Sequence, residues 1–158
     1  MNSYDNLYYL MERTHNKYNQ FNNKMVIFLK DINITHTEIH AIACIGDHKS
    51  MNLTQLANQR GISKSAASQM VYRLRDKGLV IKSASPKSDA EIILSLTDLG
   101  KEAYEAHLKY HENTTSLFFQ TLQQIPLDTV KELEDILQKL DVALDEMLEK
   151  SIDTKERK

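Results

Sequence analysis

A chain of 158 residues with 41% hydrophobic content can bury one core but has little room for a second. No apolar run reaches bilayer length and no charged-then-apolar start resembles a signal peptide, so the sequence predicts a cytoplasmic protein with no membrane partner. A single cysteine, Cys44, excludes an internal disulfide framework. The lack of a glycine-rich phosphate loop, nucleophile elbow or paired catalytic carboxylates argues against an enzyme.

In chain order, an N-terminal helix is predicted from about Tyr4 to Lys30, carrying Leu7, Leu10, Met11, Tyr18, Phe21, Met25 and Phe28. A short helix from Thr37 to Ile45 follows. The stretch from Asn52 to Leu96 then spells two short helices, a tight turn and a two-stranded hairpin, the sequence form of a winged helix-turn-helix. Leu53, Leu56 and Ala57 stripe the first helix, Gly61 permits the turn, and Ser63 is placed to cap a second helix. The inward positions of that second helix are Ala67, Met70 or Val71, and Leu74. Gly78 ends it, Leu79, Val80 and Ile81 begin a strand, Ser85 to Asp89 form a polar turn, and Ile92, Ile93, Leu94 and Leu96 return. Thr97 caps a further helix running from Asp98 to about Gln124. Pro126 breaks it, and a last helix spans Asp128 to Lys150.

Between its apolar positions the second helix of the motif carries Lys64, Ser65, Ala66, Ser68, Gln69, Tyr72 and Arg73. Gln can pair with an adenine edge, Arg with guanine or phosphate, Ser with either, and an Ala methyl can touch a thymine methyl. A solvated polar face is the plainer reading of such a helix, and the hairpin that follows tips the balance toward double-stranded DNA. The formal net charge of −2 hides a strong asymmetry. From Arg60 to Lys87 seven basic residues stand against Asp76 alone, a local net of +6, whereas Asp128 to Glu149 carries a net of −6. The motif is basic and the C-terminal end is expected to face away from DNA.

In the last helix Val130, Leu133, Leu137, Leu140, Leu144, Met147 and Leu148 recur at steps of three or four. So long a seam, in a chain whose other end is an aromatic-rich helix, predicts a dimerisation layer; packing onto the chain's own core would also produce such a stripe. The expected fold is mainly α: a winged helix-turn-helix with a two-stranded β wing, and N- and C-terminal helices forming the dimerisation layer. Residues 1–158 form a single domain in this reading. About 1–34 and 103–150 are the dimerisation helices, about 37–97 the DNA-binding part, and 151–158 a disordered tail.

The run SKSAASQMVYRLRDKGLV, the return strand ending in LSLTDLGKEAY and the paired terminal helices resemble the MarR family of bacterial transcriptional regulators, over nearly the whole chain. That resemblance implies a winged-helix homodimer that binds palindromic operators, usually as a repressor, and releases them when a small molecule, metal or oxidant binds. Carried over by position, Ser63 to Arg73 correspond to the recognition helix and Ser83 to Glu91 to the wing. The expected DNA contacts are Ser63, Lys64, Ser65, Ala66, Ser68, Gln69, Arg73, Lys82 and Lys87. Typical members place an acidic residue and an arginine at the wing tip. Here the tip reads Pro86, Lys87, Ser88, Asp89, Ala90, and Lys is the poorer reader of a narrow groove. A metal-binding or protein-interaction module with weak or lost DNA binding is therefore the alternative.

His107 and His111 lie four apart, on one helix face, and His40 precedes the motif. The runs ITHTEIHAIACIG and EAHLKYHE resemble two branches of the family, the zinc-responsive adhesin-competence repressors and the fatty-acid-synthesis repressors, which answer acyl carrier protein. The first branch implies zinc at the positions of His40, His107 and His111. Asn22 stands where its first acidic ligand would be, and Ile39 and Ala106 where a second site would need acids. No cofactor is required on this reading. Zinc or an acyl or other small-molecule effector is a candidate ligand of the three histidines, and hydrogen-bonded histidines joining helices are the structural alternative. Some relatives sense peroxide through a cysteine; Cys44, among Ile42, Ala43 and Ile45, is expected to be unreactive.

Overall fold

A computed structural model describes residues 2–24, 26–85, 88–113 and 117–156. The chain divides into two compact units, Met1–Tyr110 and His111–Lys158. The first begins with α1 (Ser3–Lys24), then β1 (Val26–Leu29) and β2 (Ile32–Thr35), α2 (His36–Asp47), β3 (Met51–Asn52), α3 (Leu53–Arg60), α4 (Lys64–Asp76), β4 (Val80–Ser85) and β5 (Ser88–Leu96). α5 (Asp98–Asn113) crosses into the second unit, which continues with α6 (Leu117–Gln123) and α7 (Leu127–Glu156).

The N-terminal helix is shorter than its apolar count predicts. It ends at Lys24, and Val26–Leu29 and Ile32–Thr35 form a β1–β2 hairpin in which Leu29 pairs with Ile32. Lys30 (φ 47°) and Asp31 (φ 66°) make the two-residue turn, the paired positive φ of a type I′ hairpin. Ile32 and Ile34 alternate with Asn33 and Thr35, and Ile34 is fully buried. A period of two with β-branched side chains favours a strand there.

α2 opens on a capping box: the Thr35 side chain accepts from the Glu38 backbone N–H and Glu38 returns to the Thr35 backbone. α3 does the same with Asn52 and Gln55. Ile39, Ile42 and Ile45 of α2, Leu56 of α3, Leu74 of α4 and Leu94 of β5 meet in one core. Among the described residues the two-stranded wing β4–β5 is part of a three-stranded sheet, in the order β3-β5-β4, because Met51 and Asn52 pair with Leu94 and Ile93.

Helix α4 is set by a glycine on each side. Gly61 (φ 57°) ends α3, with Ile62 N–H donating to Ala57 and Gly61 N–H to Asn58. Gly78 (φ 71°) repeats the pattern after α4, where Leu79 N–H reaches Leu74 and Gly78 N–H reaches Arg75. Both are Schellman closures, which need a left-handed residue that glycine adopts without steric cost.

The single helix expected from Asp98 to about Gln124 is described as α5 and α6, with 114–116 outside the described residues. α7 runs on to Glu156, past the expected end at Lys150 and into the stretch expected to be a disordered tail. After Pro126 the sequence offers no glycine or proline to stop it. Lys150 pairs with Glu146 at 3.6 Å across one turn, and Ser151 Oγ donates to the Leu148 carbonyl. Among the described residues no helix is long and apolar enough to cross a membrane.

Candidate nucleic-acid interface

The start of α4 is fixed by Ser63, whose Oγ accepts from Ala66 N–H at 3.2 Å and lies 3.0 Å from Ser65 Oγ. From that cap the helix separates into two faces. Ala67, Met70, Val71 and Leu74 are buried, while Lys64, Ser65, Ser68, Gln69, Tyr72 and Arg73 are exposed and Ala66 is half-buried. Ser65, Gln69 and Arg73 lie four apart and form one outward row; Lys64, Ser68 and Tyr72 form the next. The exposed face is thus cationic at both ends with hydroxyl and amide groups between, which suits the phosphates and base edges of a groove.

Arg73 is the exception to a simple outward placement. Its Nε lies 3.7 Å from Oε1 of the buried Glu38, and Lys77 Nζ lies 2.7 Å from Glu38 Oε2. Burial alone would raise the Glu38 pKa, but the hydrogen bonds from Lys77 and from the Thr35 backbone and side chain outweigh it. The carboxyl is held below its usual range. Neither Glu38 nor Lys77 is a predicted site residue, since they are far apart in sequence and meet only in the fold. Tyr72 is a further residue of that exposed face, 67% exposed and absent from the predicted contacts.

In the wing, Lys82 is exposed on β4, opposite Leu94 of β5. Lys87, the predicted tip residue, lies outside the described residues. Asn52 Nδ2 donates to Glu91 Oε1 at 2.8 Å and so ties the start of α3 to the wing's return strand.

The histidines assemble differently from the predicted trio. His40 Nε2 lies 3.1 Å from His36 Nε2, and the two rings are 4.3 Å apart. His107, 94% buried, meets the His40 ring edge-on at 5.0 Å, and Tyr18 of α1 meets His36 edge-on at 6.3 Å. The side chain of His111 lies outside those described. His36, absent from the predicted site residues, is therefore a member of the cluster, and its i,i+4 spacing from His40 is the signal for it. Among the described residues no group of three or more His, Cys, Asp or Glu side chains could hold a metal ion. His36 and His40 meet through their Nε2 atoms and His107 meets His40 edge-on, an arrangement of ring contacts rather than of ligands converging on one zinc ion among the described residues. Cys44 is half-buried with its Sγ 3.8 Å from Met51 Sδ, and burial pushes its thiol pKa up, as expected of an unreactive cysteine.

Residues 34–89 match the model of the MarR family. Curated relatives include two uncharacterized HTH-type transcriptional regulators of Bacillus subtilis. YhjH is 28% identical over 85 residues, which are 54% of this chain and 49% of the relative; YvnA is 29% identical over 97 residues, 61% and 62%. The chain thus spans about half to three-fifths of these two relatives. Among solved structures, Streptococcus pneumoniae FabT in complex with DNA aligns with a TM-score of 0.67 at 15% identity, over 92% of this chain and 99% of that one. A mutant MarR from E. coli complexed with operator DNA aligns at 0.64 and 22% identity, over 85% and 92%. At these identities the likeness is one of fold.

Proposed function

We propose, from the match of residues 34–89 to the MarR family model, that the chain is a sequence-specific DNA-binding transcriptional regulator, a repressor in mode, acting as a homodimer on a palindromic operator in the cytoplasm. The observation that carries the reading is α4. It is a helix capped at its start and closed at its end, with one face in the core and an opposite face of Lys64, Ser65, Ser68, Gln69 and Arg73 presented to solvent. A two-fold dimer would offer two such helices to successive major-groove faces, and Lys82 and Lys87 would lie along the flanking backbone. The relative named an HTH-type transcriptional repressor, MdtR of Bacillus subtilis, supports the repressor mode.

The effector belongs, on this reading, to the region of His36, His40 and His107, beside the DNA-binding elements. A small organic or acyl molecule seated there would use the imidazoles to orient a polar head, and its binding between helices would alter the spacing of the two α4 helices. Zinc at His40, His107 and His111 is the narrower form of this proposal and would require His40 to leave His36.

Selection of bound duplexes from a random pool tests the reading. Enrichment of a palindrome supports it. A protein that retains no duplex at low salt would instead be the interaction module.

A further inference from the structure

Glu38 serves two elements at once. Its Oε2 accepts from the Thr35 backbone N–H at 2.9 Å, from Thr35 Oγ1 at 3.0 Å and from Lys77 Nζ at 2.7 Å, and Lys77 Nζ also donates to the Asn33 carbonyl at 2.7 Å. Its Oε1 is turned to α4, 3.7 Å from Arg73 Nε, beyond hydrogen-bond range but within reach of the charge. The Glu38 side chain is 2% exposed and that of Arg73 is 51% exposed. The carboxylate is thus pinned by three donors and cannot follow the guanidinium, whereas the long arginine side chain can pivot between the carboxylate behind it and whatever lies in front of α4.

Resting on the reading that α4 enters a DNA groove, we infer that Glu38 is a positioning residue for recognition, holding Arg73 back from phosphate and cancelling part of its charge. Leaving the carboxylate is unfavourable, so Arg73 commits to DNA only where the surrounding contacts of a correct site compensate. Arbitrary duplex lacks those contacts and is bound more weakly than an unrestrained arginine would bind it. The fixed anion therefore raises the ratio of specific to non-specific affinity by penalising the wrong partner.

The test is the salt dependence of binding to a short mixed-sequence duplex, read by fluorescence anisotropy with the full chain. Each phosphate fully neutralised contributes about 0.9 to the slope of log affinity on log salt. Lys64→Gln should remove about that much. Arg73→Gln should remove clearly less in the otherwise unaltered chain, and the full amount when Glu38→Gln is also present. Glu38→Gln alone should tighten mixed-sequence binding several-fold and steepen the slope, a change that mere loss of stability would not produce. Lys77→Met, which disturbs the same contacts from the other oxygen, should not steepen it. The inference is overturned if Arg73→Gln costs the same slope as Lys64→Gln, a comparison of two exposed residues that stands even where Glu38→Gln fails to fold. It is equally overturned if folded Glu38→Gln leaves affinity and slope unchanged. Failure of the underlying reading has a different signature, the unaltered chain binding no duplex at any salt.

Discussion

Gly100 passes so close to Leu79 that a Cβ added there would overlap the Leu79 carbonyl oxygen. That carbonyl accepts from Thr97 N–H at 3.1 Å, while Thr97 Oγ1 donates to the Gly78 carbonyl at 2.7 Å and accepts from Gly100 N–H at 2.9 Å. The end of α4, the first strand of the wing and the start of α5 are thereby fixed together, and the wing is aimed from this junction.

Gly100→Ala should therefore cost at least about 3 kcal/mol, the upper part of the range for overpacking, since the obstacle is backbone. At Gly46 an added Cβ would meet the Tyr104 ring at 2.8 Å, and a side chain can yield. Gly46→Ala should cost less, about 1 to 2 kcal/mol. Denaturant unfolding of both variants checks the order, and a well-tolerated Gly100→Ala would mean that the junction is loose.

Stability should also respond to pH through Glu38. Its carboxyl is held below the usual value of 4.5, so the folded state binds its proton less readily than the unfolded one. The contribution is fully present above the unfolded value and is lost as pH falls through the lowered folded value. Comparing the unaltered chain with Glu38→Gln, the stability difference should be constant near neutrality and shrink below about pH 4.5. A difference that stays level into acid would show that the charge of Glu38 contributes nothing to folding.

Along α4, stability and reading should separate. Ser63→Ala removes the cap and should cost about 1 kcal/mol of unfolding free energy, with Ser63→Gly recovering most of it. Gln69→Ala, on the exposed row, should leave thermal stability within about 0.5 kcal/mol. It should relax preference at one base position per half-site, by about 1 to 3 kcal/mol. Binding titrations across single-base variants of the selected operator decide this, and unchanged preference would remove Gln69 from the readers.

The motif was legible because its signals are local: Gly61 and Gly78 mark the two helix ends, Ser63 marks the start, and the buried set Ala67, Met70, Val71 and Leu74 follows from helical spacing. The hairpin after Lys24 was not, since Met25 and Phe28 suit a helical count as readily as a strand and Lys30-Asp31 is not a usual type I′ pair. The strand Met51–Asn52 is too short to have a period at all; it exists because β5 offers it an edge. Glu38 illustrates the larger limit. Its role in the Thr35 capping box is written in four adjacent residues, but its pairing with Lys77 and Arg73 arises only when α2 and α4 pack.

The apolar face of α7 bears on assembly. Leu133, Leu137, Leu144 and Leu148 are 40%, 52%, 56% and 61% exposed on the single chain, and such a seam in water calls for a partner surface. If it is the dimer interface, Leu137→Asp with Leu144→Asp should abolish dimerisation while leaving the fold of residues 1–110 intact, because two buried carboxylates facing their symmetry mates cannot be compensated. On the proposed function, light scattering should then report a monomer whose α4 binds half a site weakly, without the palindrome-dependent affinity proposed for the dimer. Truncation after Thr121, which removes the whole seam, should give a monomeric or insoluble chain. A soluble dimer of undiminished stability from either variant would place the interface elsewhere.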